Sequence, residues 1–165
     1  MGKADLHIHT IYSWDGTMTP AGVLKAAALA GLDVVAITDH NDMRANLEAC
    51  NLAERYKIDV IPGCEIHTKN GHLLALFVEE LIPARLSAIE TLLRIGEQGG
   101  IALAPHIEAS LTSSLNHRTL QVILDHPDAR LVLAGAEVFN AGLPHRFSNT
   151  RARALISDMP LAMVA

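Results

Sequence analysis

The stretch DLHIHT, residues 5–10, places one aspartate and two histidines at alternate positions of a short apolar segment. Side chains of a β-strand alternate between its two faces, so Asp5, His7 and His9 would share one face, with the two imidazoles about 7 Å apart. Neutral imidazole nitrogens and carboxylate oxygens are preferred ligands of zinc, manganese and iron. The stretch therefore predicts a strand that carries half of a metal site.

Other apolar runs end in the same kind of side chain: DVVAITDH at 33–40, GCEIHT at 63–68 and GIALAPH at 100–106. If these runs are strands of a parallel sheet, their carboxyl ends meet at one face, which carries the active site in α/β proteins. The side chains expected at that face are His9, Asp39, His40, Glu65 and His106. The pattern by itself therefore predicts a cluster of metal-binding groups.

Helical stretches separate these runs and indicate the fold class. They lie at 20–31, 43–57, 83–100, 117–125 and 145–156. In the first of them, Thr19 is the expected N-cap and Gly31 the residue just past the end. Strands that alternate with helices indicate βαβ units and a parallel sheet. We therefore expect a single α/β domain over residues 1–165, and this pattern leaves open whether the sheet closes into a barrel.

Composition disfavours several classes of function. The chain of 165 residues carries a net charge of −5, which gives no footprint for nucleic-acid binding by bulk charge. No apolar run approaches the ~20 residues needed to span a bilayer, and the first ten residues lack the apolar core of a secretory signal. Cys50 and Cys64 fit no CxxC motif and are expected to be free thiols. We therefore expect a cytoplasmic protein without a membrane partner.

Nine histidines in this chain require an explanation by titration or metal binding. Not all of them belong to the expected cluster: His117 and His126 are interpreted as surface residues, whereas His67 fits a site or an exposed loop equally well. Weaker candidates for contacting a substrate are His145 and Arg146, within GLPHRFSN at 142–149. An amphipathic helix would explain an arginine there equally well.

Several of these segments resemble the PHP family, named for polymerase and histidinol phosphatase. DLHIHT, AITDHN and APH are similar to its first three motifs, while GCEI, GHLLALFV and EVFN match segments between and after them. The resemblance extends over nearly the whole chain. It implies a distorted (β/α)7 barrel with a two- or three-metal cluster at the carboxyl ends of the strands.

The resemblance also implies a ligand for each ion. His7 and His9 would bind the first ion, and Glu65 would bridge the first and second. His72 and His106 would complete the second ion. The ions would be divalent, with zinc, manganese and iron equally acceptable to this ligand set.

A third ion would be held by His40 with the help of Asp15. The latter lies in SWDG at 13–16, which is similar to a stretch of the small phosphoesterase branch of the family. Asp5 and Asp39 would instead orient histidines by accepting a hydrogen bond from the other ring nitrogen.

The reaction implied by the resemblance is hydrolysis of a small phosphorylated substrate: a phosphomonoester, a nucleotide or a short oligonucleotide. A metal-activated hydroxide would attack phosphorus in line, without a covalent enzyme intermediate. The side chains expected to carry the reaction are His7, His9, His40 and Glu65. A hydrolase of the related amidohydrolase type is disfavoured because no bridging lysine motif is found.

One family motif has no counterpart: an Asp-x-His after the seventh strand. The sequence instead reads DMPLAMVA and ends at Ala165. The missing side chains would belong to the first and third ions, so within a range of one to three ions we expect one or two. An incomplete barrel would favour a homo-oligomer or a complementing chain. The missing motif also favours an alternative, a non-catalytic PHP module with a structural or interaction role.

Overall fold

The structure is a computed structural model that describes residues 2–107, 109, 113–140 and 146–164, without the side chains of residues 146–148. Strands and helices alternate along the described residues, as predicted. In chain order they are β1 (Ala4–Ile8), α1 (Pro20–Ala30), β2 (Val34–Ile37), α2 (Arg44–Tyr56), β3 (Asp59–Thr68), β4 (Gly71–Leu76), α3 (Ala88–Glu97), β5 (Ile101–Ala104), α4 (His117–Asp125), α5 (Ala129–Val132), β6 (Leu133–Glu137), α6 (Arg146–Ile156) and β7 (Ala162–Val164).

The chain divides into two compact units. The first comprises Met1–Glu65 and Ala75–Leu81, and the second comprises Ile66–Leu74 and Ile82–Ala165. In the first unit β1, β2 and β3 pair in parallel and in chain order. Helices α1 and α2 cover this sheet with a core whose buried members are Val23, Leu24, Ala27, Val35, Ile37, Ala45, Ala49 and Ile58. The parallel pairing predicted from the sequence is therefore confirmed.

Helix α1 begins and ends at the predicted residues. The Thr19 hydroxyl accepts a hydrogen bond from Gly22 N at 3.2 Å, with Pro20 as the first helical residue. The helix ends before Gly31, whose φ of 70° lies in the left-handed region that glycine adopts at little cost. The cap at Thr19 fixes the point where the loop after β1 enters the helix, and that loop carries part of the site described below.

In the second unit β5, β6 and β7 also pair in parallel. The predicted final strand is present as β7, with Gly135 of β6 opposite Ala162. A Cβ at Gly135 would lie 2.7 Å from the carbonyl oxygen of Ala162, so this close strand approach requires glycine. Helix α3 begins with a capping box, in which Ser87 and Glu90 satisfy each other's backbone N–H groups.

Both cysteines, Cys50 and Cys64, are free, as predicted. Burial raises the pKa of the Cys64 thiol to about 12, so this thiol is not a nucleophile near neutral pH. Among the described residues, no helix combines the length and the apolar character needed to cross a membrane.

Asn46 gives a first test of how α2 is attached to β3. Its side chain is buried, donates to Gly63 O at 2.8 Å and accepts from Gly63 N at 3.3 Å. Asn46→Leu, which keeps the number and branching of the side-chain heavy atoms and removes both hydrogen bonds, is expected to lower the free energy of unfolding by about 2 kcal/mol in urea titration. Asn51→Leu, at an exposed position of the same helix, should change it by less than about 0.5 kcal/mol. Equal stabilities of the two variants would contradict this role for Asn46.

Candidate metal centre

Five side chains of the first unit converge on one another; we call them the first cluster, and they are His7, His9, Asp15, His40 and Glu65. His7 lies in β1, which ends at Ile8, so His9 lies one residue beyond the strand. His40 follows the end of β2 at Ile37 by three residues. Glu65 lies inside β3 rather than at its end, because this strand continues to Thr68.

A single carboxylate oxygen is the centre of the first cluster. Oε2 of Glu65 lies 3.1 Å from Nε2 of His7, 2.9 Å from Nε2 of His9 and 3.3 Å from Nδ1 of His40. The Glu65 side chain is 1% exposed. A buried charge is retained only when it is paired or coordinated, and here all three neighbours are imidazoles.

Asp15 lies on the other side of two of these imidazoles. Its Oδ1 is 3.0 Å from Nδ1 of His9, and its Oδ2 is 3.3 Å from Nε2 of His40. Two triplets of potential ligand atoms therefore form within the first unit: His7, His9 and Glu65, and His9, Asp15 and His40. All five residues of these triplets were predicted as metal ligands.

The imidazoles of His7 and His9 are closer than strand geometry predicts. Their ring centroids are 5.1 Å apart, compared with the spacing of about 7 Å expected for alternate positions of an extended strand. Both rings reach the same Glu65 oxygen, which brings them together. The ring centroids of His9 and His40, which follow different strands, are 4.4 Å apart.

Asp39 and Asp5 have partners other than the expected imidazoles. Asp39 accepts hydrogen bonds of 2.7 Å from both the backbone N and the hydroxyl of Thr10, and all of these groups are buried. The exposed Asp5 accepts from the backbone N of His7 at 3.2 Å. These carboxylates hold the backbone of β1 and of the loop after it, and the orientation of histidine rings by Asp5 and Asp39 stays a prediction. The backbone N of His40 is held similarly by the Ser13 hydroxyl, which accepts from it at 2.8 Å.

The carboxylates set the charge of the imidazoles between them. Burial lowers the pKa of His9, but the carboxylates of Glu65 and Asp15 outweigh this effect and raise the pKa above its ordinary value. Burial raises the pKa of Asp15, and His9 with His40 outweighs it and lowers the pKa. The first cluster is therefore an environment that favours positive charge.

A divalent ion would supply that charge, and the donor atoms fit one. Nε2 of His9 is buried and has no hydrogen-bond partner, although it lies 2.9 Å from Oε2 of Glu65. The two atoms are close without the alignment of a hydrogen bond, as expected for atoms that converge on a common point. Imidazole nitrogens and carboxylate oxygens are the donors found around zinc, manganese and iron.

The second unit contains its own pair of predicted ligands. The rings of His72 and His106 meet edge to face with centroids 5.5 Å apart, and both residues are buried. His67, for which the sequence left a site and a loop equally open, stacks on His72 with centroids 4.1 Å apart and planes 6° apart. The second unit therefore brings together three imidazoles, one more than the resemblance assigned to it.

Sequence reasoning missed the partners that position His106. Its backbone has φ 34°, in the left-handed region, and its N donates to Oε2 of Glu137 at 2.8 Å. Asn140 donates to the same oxygen at 2.8 Å, and the Ser114 hydroxyl donates to the carbonyl of His106 at 2.7 Å. Two of these partners, Glu137 and Asn140, lie in EVFN at 137–140. An acid at the end of β6 with an asparagine three residues later could have indicated them.

The weaker candidates are placed as follows. His145 lies outside the described residues, and the side chain of Arg146 is not described. His117 is exposed at the start of α4, as interpreted from the sequence. Nδ1 of His126 accepts hydrogen bonds from the backbone N atoms of residues 128 and 129, so His126 has a local structural role.

The fold and the first cluster together define an α/β protein that carries metal-binding side chains at or near the ends of parallel strands. The chain belongs to the PHP family, because the PHP domain pattern matches residues 5–127, more than half of the chain.

Relatives of the chain include named phosphoesterases. A protein of Methanocaldococcus jannaschii without an assigned activity is 42% identical over 149 residues, which cover 84% of this chain and 82% of the relative. A phosphoribosyl 1,2-cyclic phosphate 1,2-diphosphodiesterase of Eggerthella lenta is 36% identical over 86 residues, 48% of this chain and 32% of the relative. A 3′,5′-nucleoside bisphosphate phosphatase of Chromobacterium violaceum is 29% identical over 118 residues, 69% of this chain and 40% of the relative. The chain thus spans less than half the length of both enzymes.

Solved structures confirm the fold class. A candidate metal-dependent phosphoesterase from Bifidobacterium adolescentis superposes with a TM-score of 0.78 at 18% identity, covering 98% of this chain and 85% of that one. An amidohydrolase from Chromobacterium violaceum gives a TM-score of 0.76 at 16% identity with the same coverage of 98% and 85%. The α/β fold of the PHP type, which the resemblance implied, is therefore correct.

Proposed function

We propose that the chain is a divalent-metal-dependent phosphoesterase acting on a small phosphorylated substrate: a phosphomonoester, a nucleotide or a short oligonucleotide. The observation that carries the proposal is the convergence of three imidazole nitrogens on Oε2 of Glu65, with Nε2 of His9 buried outside hydrogen-bond geometry. The diesterase and the phosphatase among the relatives support this class of reaction.

In this proposal the first cluster would hold divalent ions. His7, His9 and Glu65 would bind one ion, and His40 with Asp15 would hold another. His72 and His106, in the second unit, stay predicted metal ligands. The bridging role of Glu65 between the first and second ions stays a prediction.

Divalent ions supply Lewis-acid activation of water and neutralise the charge of the phosphate. The protein sets the donor atoms that such ions require. When the N–H at Nδ1 of His9 donates to Oδ1 of Asp15, at 3.0 Å, Nε2 is unprotonated and its lone pair would be available to an ion. The hydrogen bonds from Thr10 to Asp39 keep the backbone beside His9 in place. The cluster is thereby pre-arranged before an ion or a substrate binds.

The proposal is tested by metal analysis and by hydrolysis of p-nitrophenyl phosphate and bis(p-nitrophenyl) phosphate with manganese or zinc. We expect bound metal and a turnover that a chelator abolishes. His40→Ala should abolish this turnover, while His117→Ala, at an exposed position, should retain it. Tightly bound metal without turnover of any ester would support the non-catalytic PHP module instead. Folded protein that neither binds metal nor turns over an ester would overturn both.

Several finer expectations stay predictions of the sequence. These are zinc, manganese or iron as the ion, one to three ions per chain, a single domain over residues 1–165, a cytoplasmic location, and association with a second copy or a complementing chain. Substrate contacts by His145 and Arg146 stay predictions as well.

Metal uptake is expected to release protons and to become tighter from about pH 6 to about pH 8. The pKa of His9 is raised, so its protonated form stabilises the metal-free fold fully below the ordinary histidine pKa. That contribution is lost as the pH rises through the raised pKa, and neutral His9 then becomes available as a ligand. Calorimetry in two buffers of different ionisation enthalpy counts the released protons, and His9→Asn should release fewer. Zero release across this window would contradict the raised pKa.

A further inference from the structure

Trp14 belongs to the loop of the first cluster, yet the proposed reaction gives it no role. It is the only tryptophan of the chain, and its side chain is 83% exposed. The indole lies parallel to the imidazole of His40, with 5° between the planes and 5.6 Å between the centroids. This is an offset stack, which leaves most of the indole open to solvent. The exposed part of the indole is therefore available to stack on a ligand.

The loop that presents Trp14 is closed by hydrogen bonds on both sides of it. Ser13 N donates to Thr10 O at 2.9 Å, and Gly16 N donates to Ser13 O at 3.2 Å. The Ser13 hydroxyl also accepts from the backbone N of His40 at 2.8 Å. The indole is therefore set in place before a ligand arrives, which reduces the ordering that binding requires.

Two further apolar side chains of the segment between β1 and α1 are exposed to solvent. Ile11 and Met18 are 51% and 45% exposed, and their backbones are joined by a hydrogen bond of 2.9 Å from Ile11 N to Met18 O. Asp15, the next residue along the chain, lies 3.3 Å from Nε2 of His40. A ring stacked on Trp14 would therefore lie beside the cluster that binds the phosphate.

We propose that Trp14 is the stacking platform for the base of a nucleotide substrate, which narrows the substrate class from phosphate esters in general to nucleotides. Every nucleobase presents a planar π face, and stacking on an aromatic side chain tolerates any base. The binding of the phosphate group rests on the proposed function, whereas the stacking of the base rests on Trp14 itself. A tryptophan that served only to cover His40 would be largely buried, and this one is not.

Adenosine monophosphate and ribose 5-phosphate form a matched pair of substrates that differ by the base. We expect wild-type protein with manganese to prefer the nucleotide, and Trp14→Ala and Trp14→Leu to reduce the ratio of the two kcat/KM values by about tenfold, mainly through KM. Trp14→Phe should keep most of the preference. Leu29→Ala removes an exposed apolar side chain of α1, away from this loop in sequence, and should leave the ratio unchanged.

A binding measurement separates this proposal from the proposed function. Since Trp14 is the only tryptophan, its fluorescence in zinc-loaded wild-type protein should be quenched by adenosine monophosphate and not by ribose 5-phosphate. Turnover of both substrates with no preference, or a preference that Trp14→Ala does not reduce, would overturn the stacking role and leave the phosphoesterase intact. Selective quenching without any turnover would support the base site and overturn the enzymatic function. Absence of both signals would overturn both proposals.

Discussion

Glu65→Gln is expected to remove metal binding at the first cluster and, with it, the hydrolysis of phosphate esters. Oε2 of Glu65 lies within 3.3 Å of nitrogens from His7, His9 and His40. Glutamine keeps the shape of the side chain but replaces this charged oxygen by a neutral amide. Loss of a partner outside the ligand set already costs about 10–100-fold in metal affinity, so loss of a central ligand should cost at least about 100-fold.

The measurement is zinc affinity by competition with a chromophoric chelator, together with turnover at saturating metal. Glu48→Gln, which makes the same chemical change at an exposed position of α2, is the control and should match wild type. Circular dichroism shows whether both variants are folded. A Glu65→Gln protein that binds zinc and hydrolyses esters as wild type does would remove Glu65 from the site.

The places of three histidines along the chain were predictable from the rule that polar side chains follow the carboxyl ends of parallel strands. His9, His40 and His106 each lie just past a strand, after Ile8, Ile37 and Ala104 respectively. The rule was less accurate for Glu65. This residue is internal to β3, because β3 continues to Thr68 and the chain then returns as β4 after a two-residue connection.

The hydrogen bonds that hold the site could not be read from the sequence. Asp39 pairs with Thr10 across 29 residues, and Ser13 accepts from His40 across 27. Such pairs depend on strand register and on the course of a loop, and neither leaves a periodic signal. Side-chain alternation predicted that His7 and His9 share a face. It did not predict the 5.1 Å between their ring centroids, because that distance depends on a third residue, Glu65.

Gly16 lies at a point where the loop after β1 leaves no space for a side chain. An added Cβ would overlap the carbonyl oxygen of Thr10 and lie 2.5 Å from its carbonyl carbon and 2.8 Å from its nitrogen. All of these are backbone atoms of the residue that also anchors Asp39, so no side-chain rotation can relieve the overlap. The turn that carries Asp15 must therefore move.

Gly16→Ala is accordingly expected to displace Asp15 from His9 and His40 and to lower turnover by about 100-fold, because catalytic groups tolerate errors of only about 1 Å. Asp15→Asn changes the same carboxylate without moving the turn, so it should match the loss of turnover while unfolding at a higher urea concentration than Gly16→Ala. Gly22→Ala, where the nearest atom is the Thr19 hydroxyl at 3.3 Å, is the control in the first turn of α1 and should retain activity. Wild-type turnover and stability in Gly16→Ala would mean that the loop accommodates a Cβ, and that Asp15 is not held by the turn described above.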